Sequence, residues 1–133
     1  MTVTFHNPPT APAPLAARYS NIAEIDLGQV TLLVLSGQVA LDFDGSFVGG
    51  DMTAQSEHVF GAIGALLAAH RAGFEHVVNV RTYLTDMNLL ADYGAVRRRY
   101  LTGTPPTSTT IEVSRLFHPE ALLEVDIMAV VPK

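Results

Sequence analysis

Alternation between hydrophobic and polar residues predicts several β-strands in this chain. Apolar runs at residues 19–27 and 30–35 flank Gly28-Gln29, a spacing that is typical of a β-hairpin. Residues 1–5 alternate weakly and predict an edge strand, whereas the four prolines within residues 6–14 predict an extended arm. Residues 76–84 predict a further strand, with Val78, Val80, Thr82 and Leu84 on one side.

Two segments show the helical period instead. In residues 53–72, apolar side chains recur every three to four positions, Asp51 or Thr53 can cap the start, and Gly73 can end the helix. A second helix is predicted from Asp86 or Asn88 to about residue 101. Its apolar stripe consists of Leu89, Tyr93, Val96 and Tyr100.

The last quarter of the chain contains two strands that carry polar residues on one side. In residues 122–130, period two places Leu123, Val125, Ile127 and Ala129 on one face, opposite Glu124, Asp126 and Met128. In residues 105–113, the same period separates Thr109, Ile111 and Val113 from Ser108, Thr110 and Glu112. Each polar side is either a solvated sheet surface or the wall of a site.

The elements therefore follow the order β-β-α-β-α-β-β, which predicts an α+β fold in which helices cover one face of one sheet. The other face carries several apolar or uncharged side chains. We predict that this open face packs against other copies of the chain.

Composition limits the function classes. A net charge of −5 disfavours a nucleic-acid partner. The only basic run, Arg97-Arg98-Arg99, falls at a helix end, where cations complement the helix dipole. Cysteine is absent, which excludes disulfides and thiolate nucleophiles. No signal-peptide pattern and no apolar run of membrane-spanning length occur, so we expect a cytoplasmic protein without a membrane partner.

Common chemical motifs are missing as well. The five histidines (His6, His58, His70, His76 and His118) form no HxH or HExxH pair, so no metal site is predicted, and His70 is interpreted as a packed core or interface residue. Residues 45–50 lack the ending of a phosphate-binding loop. Ser36 is not in a G-x-S-x-G elbow.

Four short motifs occur together in one order. They are Ser36-Gly37-Gln38 after a strand, residues 82–87 before the second helix, Pro106 followed by Ile111-Glu112-Val113, and residues 123–130. In this combination the chain resembles the Rid (YjgF, reactive intermediate deaminase) family over residues 19–131, with residues 1–18 as an N-terminal strand and arm. The resemblance implies a chorismate-mutase-like fold, a homotrimer whose sheets form a central barrel with intersubunit clefts, and hydrolysis of enamines or imines without a cofactor.

The resemblance also implies a set of site residues. Glu124 and Thr110 match the family's catalytic positions, while Tyr19, Ser36, Asn88 and Ser108 match its substrate-binding positions. Plainer roles remain open for several of them. Glu124 can face solvent or pair with a cation, Thr110 is a good strand former, and Ser36 and Asn88 suit a strand end and a helix cap.

Two positions depart from the family pattern: Thr110 stands at the family's cysteine, and Ser108 is the departure that matters most. Ser108 stands where the archetypal deaminases carry an arginine that binds the substrate carboxylate in a bidentate contact. Such a charged contact is worth about 1.5–3 kcal/mol. The chain is therefore not expected to act well on simple 2-imino acids unless Arg18, Arg81 or Arg115 substitutes.

Several functions are compatible with these residues. The first is hydrolysis of a C=N bond, in which Glu124 and a backbone carbonyl near Thr110 hold the water. The second is non-catalytic binding of a small metabolite by a trimer. A pathway-specific enamine or enol tautomerase or cyclase is a third, and the charge balance argues against a ribonuclease.

Overall fold

Strand β6 (Leu123–Pro132) lies in the interior of a six-stranded sheet in the computed structural model, which describes residues 1–133. The other elements are β1 (Thr2–His6), β2 (Ile22–Asp26), β3 (Val30–Leu35), α1 (Met52–Ala68), β4 (Val77–Leu84), α2 (Leu90–Tyr100) and β5 (Thr107–Glu112). The strand order in the sheet is β1-β2-β3-β6-β4-β5. The fold is α+β, as the sequence predicts.

The pairing of the strands determines which residues can meet. Strands β1, β2 and β3 form an antiparallel meander, and β6 runs antiparallel to both β3 and β4. Strand β5 pairs in parallel with β4 at the edge of the sheet. The two polar strands of the last quarter, β5 and β6, are therefore not neighbours, because β4 lies between them.

The predicted hairpin is confirmed, and Gly28 in its turn adopts φ +91°, a left-handed conformation that favours glycine. The weakly alternating N-terminus forms the predicted edge strand, β1, which precedes the seven elements of the predicted order. Asp51 caps α1, since its side chain accepts a hydrogen bond from the backbone N–H of Ala54.

Three details of the predicted elements are wrong. Helix α1 ends at Ala68, because the turn that follows takes its left-handed residue at Arg71 (φ 58°) and not at Gly73. Val78 lies at a β-bulge and is exposed, so it does not share the buried side of Val80. Asp86 caps a short 3₁₀ turn, Met87–Leu89, which precedes α2.

The core lies between the helices and one face of the sheet. All four apolar residues predicted for the inner side of β6 are essentially inaccessible to solvent, as is the apolar face of α1. Tyr93 and Val96 of α2 are also buried, and the Tyr93 hydroxyl lies 2.6 Å from the Thr82 hydroxyl. The helices therefore hold β6 and β4 in a fixed register. No helix of the chain is long and apolar enough to cross a membrane.

The opposite, open face of the sheet is partly apolar. Strands β2, β3 and β6 carry a group of half-buried apolar side chains on this face. They are Ala23, Ile25, Leu32, Val34, Met128 and Val130. This composition is consistent with the prediction that the face packs against other copies of the chain, which stays a prediction.

A buried glutamine connects α1 to the loop before β6. Gln55 is 1% exposed. Its amide nitrogen donates to the carbonyls of Gly50 and Glu120, and its amide oxygen accepts from the N–H of Leu122. These three bonds attach the loop before β6, the strand that carries Glu124, to α1.

We predict that Gln55→Met lowers the free energy of unfolding by about 3 kcal/mol, since leaving a buried backbone group unsatisfied costs about 1–3 kcal/mol. Urea denaturation measures the change. The matched control is Gln29→Met at an exposed turn, which should have little effect. Equal stability of the two variants would contradict this role of Gln55.

Candidate functional site

A cavity of about 370 Å³ opens beside the start of β6. Three of the predicted site residues, Tyr19, Ser36 and Glu124, line it. Its other lining residues are Leu15, Gly37, Val39 and Phe117. The structure therefore brings together half of the residues that the resemblance implied.

Glu124 reaches this cavity because a glycine lies beneath it. A Cβ atom at Gly37 would collide with the Glu124 carboxylate, so only glycine allows the side chain to lie across the backbone there. The backbone N–H of Gln38 donates to the carbonyl of Val125 at 2.8 Å, and the reverse bond is 3.1 Å. These two bonds attach the Ser36-Gly37-Gln38 segment to β6 next to Glu124.

The two hydroxyl groups that line the cavity with Glu124 form hydrogen bonds with backbone groups. The Ser36 hydroxyl donates to the carbonyl of Ser20 at 2.6 Å, and the Tyr19 hydroxyl accepts from the N–H of Leu15 at 3.3 Å. Ala16 and Ala17, just before Tyr19, both have φ 52°, which is uncommon for residues other than glycine. The Tyr19 side of the cavity is thus formed by a locally strained turn.

The environment of Glu124 favours its protonated form. Burial raises the pKa of Glu124, and the nearby charge of Asp126 raises it further. Asp126 itself is largely buried on the same face of β6 and accepts a hydrogen bond of 2.7 Å from the Nε of Arg81. One of the two carboxylates is therefore paired with a cation, and the other is available for proton transfer.

Thr110 lies on the opposite face of the sheet from Glu124. In the register, Thr110 is level with Thr82, and Glu124 is level with Tyr83. Because consecutive residues of β4 point to opposite faces, Thr110 and Glu124 cannot face one another within one chain. The polar sides of β5 and β6 therefore do not form one wall within a single subunit.

Ser108 and Asn88 also lie away from the cavity. Ser108 is exposed on β5, on the same side of that strand as Thr110. Asn88 is exposed in the 3₁₀ turn before α2, where its backbone N–H donates to the Asp86 side chain. None of Asn88, Ser108 and Thr110 lines the Glu124 cavity.

Thr110 instead lines a second depression, of about 480 Å³, that also contains Arg97 and Arg98. The sequence places these arginines at a helix end, and their proximity to β5 is apparent only in the structure. Of the three arginines proposed as substitutes at position 108, Arg81 pairs with Asp126, while Arg18 and Arg115 are exposed.

The sequence profile of the family described as "Endoribonuclease L-PSP" matches residues 9–131. That span includes the Ser36-Gly37-Gln38 segment, β5 and almost all of β6. The chain belongs to the Rid/YjgF family.

Relatives of the Rid chain match over most of their lengths. Protein DfrA of Myxococcus xanthus is 40% identical over 113 residues, which are 84% of each protein. A RutC family protein of Synechocystis is 32% identical over 135 residues, which are 99% of each.

Solved structures agree with the fold. A Rid family protein of Yersinia pestis, YyfA, has a TM-score of 0.87 at 26% identity, covering 98% of this chain and 100% of that one. Yeast Mmf1 has a TM-score of 0.86 at 26% identity, covering 99% and 100%. The chorismate-mutase-like fold implied by the family is thereby confirmed.

We predict that Glu124→Gln stabilises the protein near neutral pH. The pKa of Glu124 is raised in the folded state, so its ionisation opposes folding at pH values above that pKa. The gain from the substitution should therefore shrink as the pH falls through the raised pKa and should be lost once the pH is below the ordinary glutamate range. Thermal melting of both proteins across pH measures it.

The matched control is Glu120→Gln, because the Glu120 side chain is exposed and makes no hydrogen bond or ion pair. A gain for Glu124→Gln that is independent of pH would contradict the assignment.

Proposed function

We propose that this Rid protein hydrolyses the C=N bond of a small reactive imine, or of the imine to which an enamine tautomerises, with Glu124 as the acid–base group and no cofactor. The observation that carries the proposal is the partial burial of the Glu124 carboxyl group in a cavity lined largely by apolar residues, which raises the pKa of that group. A carboxyl group whose pKa moves toward neutrality can both take up and release a proton at physiological pH.

In the proposed reaction, the oxygen of a water molecule adds to the imine carbon. Glu124 accepts a proton from that water and delivers it to the nitrogen, which gives a neutral carbinolamine. The carbinolamine then expels its nitrogen as ammonia, while the hydroxyl proton is transferred through Glu124 and the C=O bond forms. One water is consumed and one ammonia is released, so no electron acceptor is required.

The complete site is proposed to form between two subunits of a homotrimer. Glu124, Tyr19 and Ser36 would come from one subunit, and Thr110, Ser108 and Asn88 from its neighbour. The opposite orientation of Thr110 and Glu124 within one chain supports this division, since a second chain is needed to bring them together. A backbone carbonyl near Thr110 would then be the second ligand of the water.

The substrate is proposed to differ from simple 2-imino acids. Ser108 is a neutral side chain at the position where a carboxylate-binding arginine is expected, and a hydroxyl cannot reproduce the bidentate contact. Arg97 and Arg98 line the same depression as Thr110 and are the cationic side chains in it. A substrate with an anionic group farther from its C=N carbon would suit this arrangement.

The direct test measures ammonia release from a panel of imines and enamines by the wild-type protein and by Glu124→Ala. We expect the rate to fall by about 10²–10⁴-fold, the range for loss of a general acid–base group. Glu120→Ala, at an exposed position, is the matched control and should retain full activity. Equal rates for Glu124→Ala and wild type would remove Glu124 from the mechanism.

Mixing two inactive variants tests the intersubunit site. Glu124→Gln and Thr110→Arg each disrupt the part of the proposed site that one subunit contributes. We therefore expect each variant alone to be inactive, and light scattering should show that it is still a trimer. Subunits exchanged at equal amounts should recover about a quarter of the wild-type activity, because each mixed cyclic trimer contains one intact interface. No recovery in confirmed mixed trimers would show that the two residues do not share a site.

A second candidate function is non-catalytic binding of a small metabolite in the same cleft. The serine at position 108 favours it, because the missing arginine is a substrate-binding group of the archetypal deaminases. Thermal-shift screening with enamine, enol and carboxylate compounds distinguishes the two. A ligand that raises the melting temperature but is recovered unchanged would favour binding, and a ligand recovered as an isomer would favour a tautomerase or cyclase.

A further inference from the structure

Three metal-ligating side chains meet on the helix side of the sheet, away from the Glu124 cavity. His6 ends β1, Glu24 lies in β2, and His70 lies in the turn after α1. His6 is level with Ile22 in the β1–β2 register, so His6 and Glu24 are diagonal neighbours on one face. One ligating atom from each of the three lies within 4.8 Å of the others.

The ring nitrogens of these two histidines have no hydrogen-bond partner. The Nε2 atom of His6 and both nitrogens of His70 are buried and unsatisfied, and the His70 side chain is only 8% exposed. Buried polar atoms are normally paired, so three such atoms in one cluster require an explanation.

The other three histidines each use a ring nitrogen. His58 Nε2 lies 2.6 Å from the carbonyl of Leu41, His76 Nδ1 accepts from the N–H of Gly73 at 3.0 Å, and His118 Nδ1 accepts from the N–H of Glu120 at 3.1 Å. The contrast points to a ligand for the His6 and His70 nitrogens outside the polypeptide.

The spacing of the three groups fits a tetrahedral ion. The Oε2 atom of Glu24 lies 3.5 Å from His70 Nε2 and 3.8 Å from His6 Nε2. Two ligands at about 2.0–2.1 Å from a tetrahedral zinc ion are about 3.4 Å apart. Both distances from Glu24 are therefore within a few tenths of an ångström of the tetrahedral spacing. Two imidazoles and one carboxylate also favour Zn²⁺ and similar ions over Mg²⁺ or Ca²⁺.

We propose that His6, Glu24 and His70 form a binding site for one Zn²⁺-class divalent transition-metal ion per chain. Water completes the coordination as the fourth ligand. The ion would connect the edge strand β1 to the turn after α1. Without it, the side chains of β1 are mostly exposed and the strand is held chiefly by its pairing with β2. The proposal is independent of the activity proposed for Glu124.

The experiment titrates zinc alone into the full-length protein after treatment with a chelator. Calorimetry should give one ion per chain, and the melting temperature should rise with the zinc concentration, because an ion that binds only the folded state stabilises it. His70→Gln and Glu24→Gln should each weaken binding on the order of 100-fold or more, since loss of a residue that merely supports a ligand costs about 10–100-fold.

His118→Gln is the matched control, because it removes a histidine outside the cluster and should leave the zinc affinity unchanged. Circular dichroism without metal verifies that each variant is folded, and Glu24→Gln changes only a half-exposed side chain. Cobalt(II) provides a second readout, with an absorption spectrum typical of tetrahedral coordination in the wild type. Absence of stoichiometric zinc binding, or binding that persists in both His70→Gln and Glu24→Gln, would overturn the proposal.

Discussion

The two faces of strand β6 contribute to the hydrophobic core and to the candidate site, so one register must satisfy both. Its inward residues, among them Val125 and Ile127, are almost completely buried, whereas Glu124 and Asp126 alternate with them on the open face. A slip of one residue would exchange the two sets and bury both carboxylates among apolar side chains. The packing of the core therefore fixes which carboxylates lie on the open face, and the hydrogen bonds of Gln55 attach the loop before β6 to α1.

Local patterns predicted the elements well but could not predict their neighbours. The alternation in β6, the hairpin at Gly28 and the stripe of α2 each follow from residues close in sequence. The position of β4 between β5 and β6 is a long-range pairing, and nothing in the polar faces of the two outer strands specifies it. The sequence therefore does not reveal that Thr110 and Glu124 lie on opposite faces of the sheet.

The site itself was only partly accessible from sequence. Tyr19, Ser36 and Glu124 followed from family motifs, whereas Phe117 is a single aromatic residue in a loop and carries no pattern. The His6, Glu24 and His70 cluster gave no signal either, because its members come from three elements and form no short motif. Gly37 was the exception, because a glycine shortly after a strand can indicate that another group approaches the backbone closely.

The two carboxylates of β6 differ in a way that bears on the substrate. Arg81 donates to Asp126, which satisfies one charge locally and leaves Glu124 with no cation beside it. If Arg81 bound a substrate carboxylate instead, Asp126 would lose its partner while largely buried, which is costly. Arg81 is therefore poorly suited to replace the arginine that is absent at Ser108. The open face then presents one proton-transfer group and no free cation next to it, so a cation that contacts a substrate in the proposed intersubunit site has to come from another surface, such as the one that carries Arg97 and Arg98.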